Sequence, residues 1–329
     1  MSTLAPTLQT FFTQRLVGER QASPHTVAAY RDTFRLLLAF ITARLGKTPS
    51  QLLLTDLDVT VIDAFLNHLE HDRGNSARTR NARLVAIHSL FRFAELRHPE
   101  HAHMIQRVLA IPAKRQQRTE VSFLTPVEVD ALLAAPDRTT RIGRRDHALL
   151  VLAVQTGLRV SELIGLRRCD THLDRGAHVR CHGKGRKDRV TPLAAQTVAV
   201  LKVWFRELAG GPHTTLFPSQ LGRALSRDAV ERLLAKHTRA AAGACPSLGT
   251  KRVSPHVLRH TAAMRLLEAG IDTSVIALWL GHESVQTTQV YLHAHLALKE
   301  RALAKTAPAH TTPGRYRPPD ALLAFLEAL

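Results

Sequence analysis

The stretch Thr156-Gly157-Leu158-Arg159-Val160-Ser161-Glu162-Leu163 places an arginine directly after a glycine turn. The pattern indicates one helix that ends at the glycine and a second that begins at the arginine. Glu162 lies one turn further on, where its carboxylate can orient the Arg159 guanidinium through a charge-assisted hydrogen bond. We therefore expect an arginine held in a fixed direction, although an ordinary salt bridge would also explain this stretch taken alone.

Three further segments of the second half carry side chains suited to phosphate chemistry. Gly183-Lys184-Gly185-Arg186-Lys187 lies between two short extended runs, which predicts a β-hairpin with a lysine at its tip. Ser254-Pro255-His256-Val257-Leu258-Arg259-His260 predicts a helix with His256 and Arg259 on one face. Leu280-Gly281-His282 is followed by Thr287-Thr288-Gln289-Val290-Tyr291. Each segment alone also fits a tight turn, a helix cap or a buried tyrosine.

In this order and combination, the four segments resemble the tyrosine recombinase (phage integrase) family, including its Xer-type members. The resemblance covers nearly the whole chain. All six positions of the family's catalytic set are matched, by Arg159, Lys184, His256, Arg259, His282 and Tyr291. The resemblance implies a helical core-binding domain in the first half and a catalytic domain in the second. The long Pro-rich segment after Tyr291 is less typical of the family.

The chemistry of phosphodiester cleavage agrees with this resemblance. Negative charge builds on the non-bridging phosphate oxygens in the transition state, and Arg159 and Arg259 offer forked donors for them. His282 is expected to add a further donor. Glu162 and His260 are expected to support this set.

Tyr291 is the expected nucleophile. A phenol has a reference pKa of about 10, so it is protonated at neutral pH and needs a base, which His256 can supply. The deoxyribose 5′-oxygen is a poor leaving group, and Lys184 resembles the family's general acid. Tyr316 is a rival nucleophile near the end of the chain, but no Gly-His pair lies nine residues before it.

The resemblance implies a site-specific recombinase or integrase that works through a 3′-phosphotyrosyl link and a Holliday junction. No ATP is expected, since the covalent link conserves the bond energy. No cofactor or metal is expected either, since Arg159, Lys184 and Arg259 would supply the positive charge that a metal ion otherwise provides. Two alternatives stay open: a type IB-like topoisomerase that reseals the original strand, and a DNA-binding relative without catalysis.

Length and charge point the same way. The chain has 329 residues, enough for two domains, and a net charge of +18. Residues 1–120 hold 16 basic and 10 acidic side chains, so the excess lies in both halves. A hydrophobic content of 45% excludes a disordered basic tail. Double-stranded DNA is the expected partner, although a merely basic soluble protein would share these numbers.

Hydrophobic spacing predicts a mainly α protein with a small antiparallel β-sheet. Helices are expected near 7–19, from Pro24, from Asp58 and through residues 82–93, which would form a four-helix bundle. The expected domains are a helical, SAM-like core-binding domain over 1–110, a linker over 111–121, a mixed α/β catalytic domain over 122–305, and a tail over 306–329.

Basic residues beside these elements are candidates for phosphate contacts, which give affinity rather than sequence choice. For any single one, a solvated surface is an equally good explanation. The candidates are Arg78, Arg80, Arg83, Lys114, Arg115, Arg186, Lys187, Arg189, Lys251, Arg252 and Arg265.

The chain ends in DALLAFLEAL over 320–329, a short amphipathic helix. Such a helix is marginal alone in water, so it must dock, either on its own domain or on a neighbouring protomer as the family resemblance implies. We expect a homotetramer on DNA and a monomer or weak oligomer without it.

The remaining features concern location and metal binding. The three cysteines lack metal or disulfide spacing, and no signal peptide or transmembrane stretch is recognisable. A cytoplasmic, nucleoid-associated protein without a metal site or a membrane contact is therefore expected.

Overall fold

The computed structural model describes residues 3–115, 121–182, 188–281 and 288. The chain divides into two compact units, Met1–Thr119 and Glu120–Leu329. The fold class predicted from the sequence is confirmed: the described elements are mostly helical, with one small antiparallel sheet. None of the helices in the described ranges is long and apolar enough to cross a membrane.

The described secondary-structure elements of the first unit are all helices. Its helices are α1 (Leu4–Thr10), which continues as a π-helical stretch (Phe11–Glu19), α2 (Pro24–Leu45), α3 (Val59–His71), α4 (Ala77–Glu95) and α5 (Ala102–Leu109). Ser23, Asp58 and Ser76 cap α2, α3 and α4 by accepting hydrogen bonds from backbone amides. The prediction of four helices is therefore short by one, because α5 is only eight residues long.

Aromatic side chains form the centre of this unit. Phe11 is fully buried, and its ring lies 5.6–6.3 Å from those of Phe12, Tyr30, Phe34 and Phe93. These contacts join the π-helical stretch to α2 and α4, and they explain why the amphipathic helices pack as one bundle.

The start of the expected linker is fixed on α4. The Asn81 side chain donates to the Lys114 carbonyl (2.8 Å) and accepts from the Lys114 amide (3.0 Å). Arg80 donates to the Pro112 carbonyl at 3.1 Å, and its side chain is only 6% exposed beside Glu70. In this conformation the Arg80 guanidinium is buried within the first unit, and its expected contact with DNA stays a prediction.

The second unit has a larger hydrophobic core than the first. Its helices are α6 (Pro126–Ala134), α7 (Arg141–Thr156), α8 (Val160–Gly165), α9 (Ala195–Glu207), α10 (Arg227–Ala241), α11 (Pro255–Glu268) and α12 (Thr273–Leu280). Trp204 of α9 is buried, and its indole N–H donates to the Leu216 carbonyl at 2.8 Å.

Both strands of the predicted hairpin are present. Strands β2 (His178–His182) and β3 (Asp188–Pro192) pair antiparallel, with His182 opposite Asp188. A two-residue strand, β1 (Thr171–His172), adds to β2 and was not predicted, because so short a run has no visible periodicity. The segment 183–187 lies outside the described residues.

A buried carboxylate fixes the start of the second unit. Glu128 of α6 accepts hydrogen bonds from the Thr125 amide (2.8 Å), the Ser247 hydroxyl (2.7 Å) and the Lys251 ammonium (2.7 Å). Burial raises the pKa of Glu128, but the bonds from Lys251 and Ser247 outweigh it and lower the pKa to about 2. Lys251, expected at the DNA, is thus engaged inside the fold.

Glu128→Gln should lower the free energy of unfolding by about 3 kcal/mol at neutral pH, because it leaves Lys251 without its buried partner. A lowered folded pKa stabilises above the ordinary value of 4.5, and that stability is lost as the pH falls towards about 2. The deficit of the variant should therefore shrink on acidification. Urea unfolding at several pH values measures it, with the exposed Asp130→Asn on the same helix as control. A deficit independent of pH would contradict this assignment.

Candidate active site

The C-terminal ends of α7 and α12 lie at the base of the site. Gly157 closes α7 in left-handed backbone (φ 63°), and Gly281 closes α12 in the same way (φ 65°). The last carbonyls of a helix have no partner within it and carry the negative end of the helix dipole. These two ends therefore present acceptors suited to cationic side chains.

Arg259 uses both ends at once. Its guanidinium donates to the Gly157 carbonyl and to the Leu280 carbonyl, each at 2.7 Å. The residue is only 4% exposed, on helix α11, whose start is capped by the Ser254 side chain. The predicted arginine is thus rigidly held by backbone groups that the sequence does not reveal.

Arg159 approaches the same corner from α8. One terminal nitrogen donates to the Gly281 carbonyl at 2.8 Å, and the other to Glu162 at 2.9 Å. The Arg159 amide donates to the second carboxylate oxygen of Glu162 at 2.7 Å. The expected hydrogen bond between Glu162 and Arg159 is present, and the side chain of Arg159 remains 35% exposed. The supporting role of Glu162 stays a prediction.

Glu162 holds a second arginine that the sequence analysis placed at the DNA surface. Arg189 of β3 binds both carboxylate oxygens, at 2.8 Å each, with a side chain 12% exposed. Burial raises the pKa of Glu162, but the contacts with Arg189 and then Arg159 outweigh it, so its pKa is lowered. In this conformation Glu162 accepts from both terminal nitrogens of the Arg189 guanidinium, and the expected phosphate contact of Arg189 stays a prediction.

Beside this cluster lies one open cavity of about 360 Å³. Arg159, Arg259 and His256 line it, so the structure brings together three of the six expected catalytic residues. His256 is exposed, and its ring centroid lies 4.2 Å from that of His260 in an edge-to-face contact. Two arginines and a histidine therefore line the same cavity.

Helix α10 forms the outer wall of the cavity and was missed by the sequence analysis. Arg227 and Glu231, one turn apart on that helix, line it beside the histidine. No motif marks them, because α10 approaches the site only through the tertiary fold.

The remaining expected residues fall into two groups. Lys184, Arg186, Lys187, His282, Tyr291 and the tail over 306–329 lie outside the described residues. Arg78, Arg115, Arg252 and Arg265 are exposed, while Arg83 is half-buried, and burial followed by the charge of Arg73 lowers its pKa. Lys114 is half exposed and pairs with Glu70 at 2.6 Å.

Clusters of three or more His, Cys, Asp or Glu side chains that could hold a metal ion do not occur among the described residues. The expected absence of a metal site stays a prediction.

Comparison with known proteins identifies the family. Residues 122–297 match the model of the phage integrase family, and residues 10–98 match that family's N-terminal SAM-like domain. A relative from Sinorhizobium fredii, provisionally named integrase/recombinase y4rC, is 58% identical over 328 residues, covering 100% of this chain and 99% of the relative. The chain belongs to the phage integrase family.

A further relative matches this chain over most of its length, and two solved structures share its fold. Tyrosine recombinase XerC of Pelobacter propionicus is 34% identical, covering 92% of this chain and 95% of its own. XerH recombinase, solved with its difH substrate after cleavage, superposes with a TM-score of 0.67 at 24% identity over 87% of this chain and 81% of that one. The Tn1549 transposon integrase with circular intermediate DNA gives 0.69 at 16% identity, over 93% and 100%.

Gly157→Ala should destabilise the second unit more than Gly176→Ala. Both glycines have a positive φ, but only at Gly176 is there open space for an added Cβ. A Cβ at Gly157 would lie 2.6 Å from Leu280 and 3.0 Å from Ala262, whereas one at Gly176 (φ 77°) meets nothing within 4 Å. Gly176→Ala should cost about 1–2 kcal/mol through backbone strain alone. Gly157→Ala should cost at least about 1 kcal/mol more through overpacking. Equal losses in urea unfolding would refute the close packing of the two helix ends.

Proposed function

We propose that this protein is a site-specific DNA recombinase that cleaves and rejoins strands through Tyr291. The observation that supports the proposal best is the pair of guanidinium groups, from Arg159 and Arg259, fixed on helix-end carbonyls around one cavity. Because the carbonyls orient these cations before any substrate arrives, little reorganisation is needed when charge develops on a phosphate.

In the proposed cleavage step, the Tyr291 oxygen forms a bond to the scissile phosphorus while the bond to the 5′-oxygen breaks. The phenolic proton passes to His256, and Lys184 gives a proton to the leaving 5′-oxygen. Arg159, Arg259 and His282 hold the non-bridging oxygens. The products are a 3′-phosphotyrosyl link and a free 5′-hydroxyl.

Strand exchange reverses this step with a different hydroxyl. A 5′-hydroxyl of a partner strand attacks the phosphotyrosyl bond and releases Tyr291, so the number of phosphodiester bonds is unchanged and no ATP is consumed. Two such exchanges pass through a Holliday junction and recombine two sites.

The proposed partner is a double-stranded recombination site, bound by the basic surfaces of both units. Among the candidates for phosphate contacts, Arg78, Arg115, Arg252 and Arg265 are exposed, and they are the proposed contacts. We further propose a homotetramer on DNA, in which the helix over 320–329 docks on a neighbouring protomer, in the cytoplasm at the nucleoid.

Covalent capture from a pool of nicked duplexes with randomised inverted arms tests the nucleophile. Duplexes that survive denaturing detergent bound to protein are sequenced and used as substrate. Tyr291→Phe should abolish the adduct, because it removes the attacking oxygen, whereas Tyr316→Phe should form it at the wild-type level. An adduct with Tyr291→Phe would refute the assignment.

A plasmid assay separates recombination from its alternatives. With two captured sites on one plasmid, the wild-type protein should delete or invert the segment between them. Relaxation of a plasmid without such sites, and no rearrangement, would instead identify a topoisomerase. DNA binding without an adduct would identify a non-catalytic relative.

A further inference from the structure

Arg189 lies close to the candidate active site without facing the cavity. It is the second residue of β3 (Asp188–Pro192), the strand that follows the segment 183–187. The residues that line the cavity include Arg159, His256 and Arg259 but not Arg189. Its role must therefore differ from that of the two arginines that face a substrate.

We propose that Arg189 is a positioning residue, which holds Arg159 in its working orientation through the shared carboxylate of Glu162 and through packing on the Gly281 turn. This inference rests on the proposed function, since it concerns the arginine that would bind the scissile phosphate.

The carboxylate contacts come first. Glu162 has a side chain only 4% exposed, and each of its oxygens accepts from both arginines. One oxygen accepts from Arg189 at 2.8 Å and from the Arg159 guanidinium at 2.9 Å. The other accepts from Arg189 at 2.8 Å and from the Arg159 amide at 2.7 Å. Arg189 thereby fixes the plane of the Glu162 carboxylate, and this carboxylate in turn orients the Arg159 guanidinium.

The packing on Gly281 is the second link. A Cβ on Gly281 would lie 2.6 Å from a terminal nitrogen of Arg189 and 3.2 Å from its Cδ and Cζ. The guanidinium thus lies directly against the turn whose carbonyl accepts from Arg159 at 2.8 Å. Arg189 supports both acceptors that Arg159 uses.

Charge and shape together explain why position 189 is an arginine. Two guanidinium groups share one carboxylate, so the cluster keeps a net positive charge beside the cavity. An arginine spans both carboxylate oxygens in one plane, whereas a lysine offers a single point charge and cannot hold that plane. The position therefore needs the shape of the fork as well as its charge.

The test compares affinity with rate on the captured duplex. Arg189→Ala should slow adduct formation at saturating protein by about 100-fold, the loss expected when a catalytic group is misplaced by about 1 Å. The dissociation constant for DNA should stay within about twofold, because the fork is bound to Glu162 and contacts no phosphate. Arg189→Lys should also be slow. The matched control is Arg180→Ala, which removes an exposed arginine from the neighbouring strand β2 and should react like wild type.

A second substrate, with sulfur in place of the scissile 5′-oxygen, excludes an indirect effect through Lys184. A thiolate leaves without a general acid, since a thiol has a pKa of about 8.5. The defect of Arg189→Ala should persist on this substrate if Arg189 acts on Arg159. Full recovery would overturn the proposal in favour of the hairpin lysine, and weakened DNA binding with an unchanged rate would overturn it in favour of a phosphate contact.

Stability and activity controls complete the design. If Arg189→Ala does not fold, as judged by thermal unfolding, Arg189→Lys carries the same comparison. A wild-type protein that forms no adduct would overturn the proposed function and this inference with it. A wild-type adduct together with wild-type rates in both variants would overturn this inference alone.

Discussion

The shared carboxylate of Glu162 is the constraint on which the site depends. A carboxylate with a side chain only 4% exposed is stable in ionised form only when it is paired and hydrogen-bonded, and here two arginines and a backbone amide meet that need. Because removing either partner leaves buried charge, the arrangement has few alternatives of similar energy. The gain is one defined orientation of Arg159 rather than additional stability.

Backbone carbonyls at two helix ends also fix the orientation of the arginines. Arg259 and Arg159 donate to carbonyls at the ends of α7 and α12, where backbone acceptors would otherwise lack partners. These contacts join the start of α8, the turn after α12 and helix α11 at one corner of the second unit. A phosphate entering the cavity would meet cations whose positions are already set, and for this reason the site suits stabilisation of developing charge.

The sequence predicts the local parts of this structure well and its long-range pairings poorly. Gly157, Arg159 and Glu162 form a local turn-and-cap arrangement, and the structure has it as predicted. Arg80 and Arg189 resemble surface arginines in the sequence, yet each is bound by a partner distant in the chain, Pro112 and Glu162 respectively. A basic residue gives no local signal that distinguishes a buried pair from a solvated side chain. For the same reason Arg227 and Glu231 were missed, since only the tertiary fold brings α10 to the cavity.

A double-mutant cycle between Glu162 and Arg189 tests the central claim most directly. The rate of adduct formation is measured at saturating protein for Glu162→Gln, Arg189→Ala and the double variant. If both residues act as one unit on Arg159, the double variant should be about as slow as the slower single variant, because the second change removes nothing further. Rate losses that multiply would show that the two residues act independently, and would contradict the account.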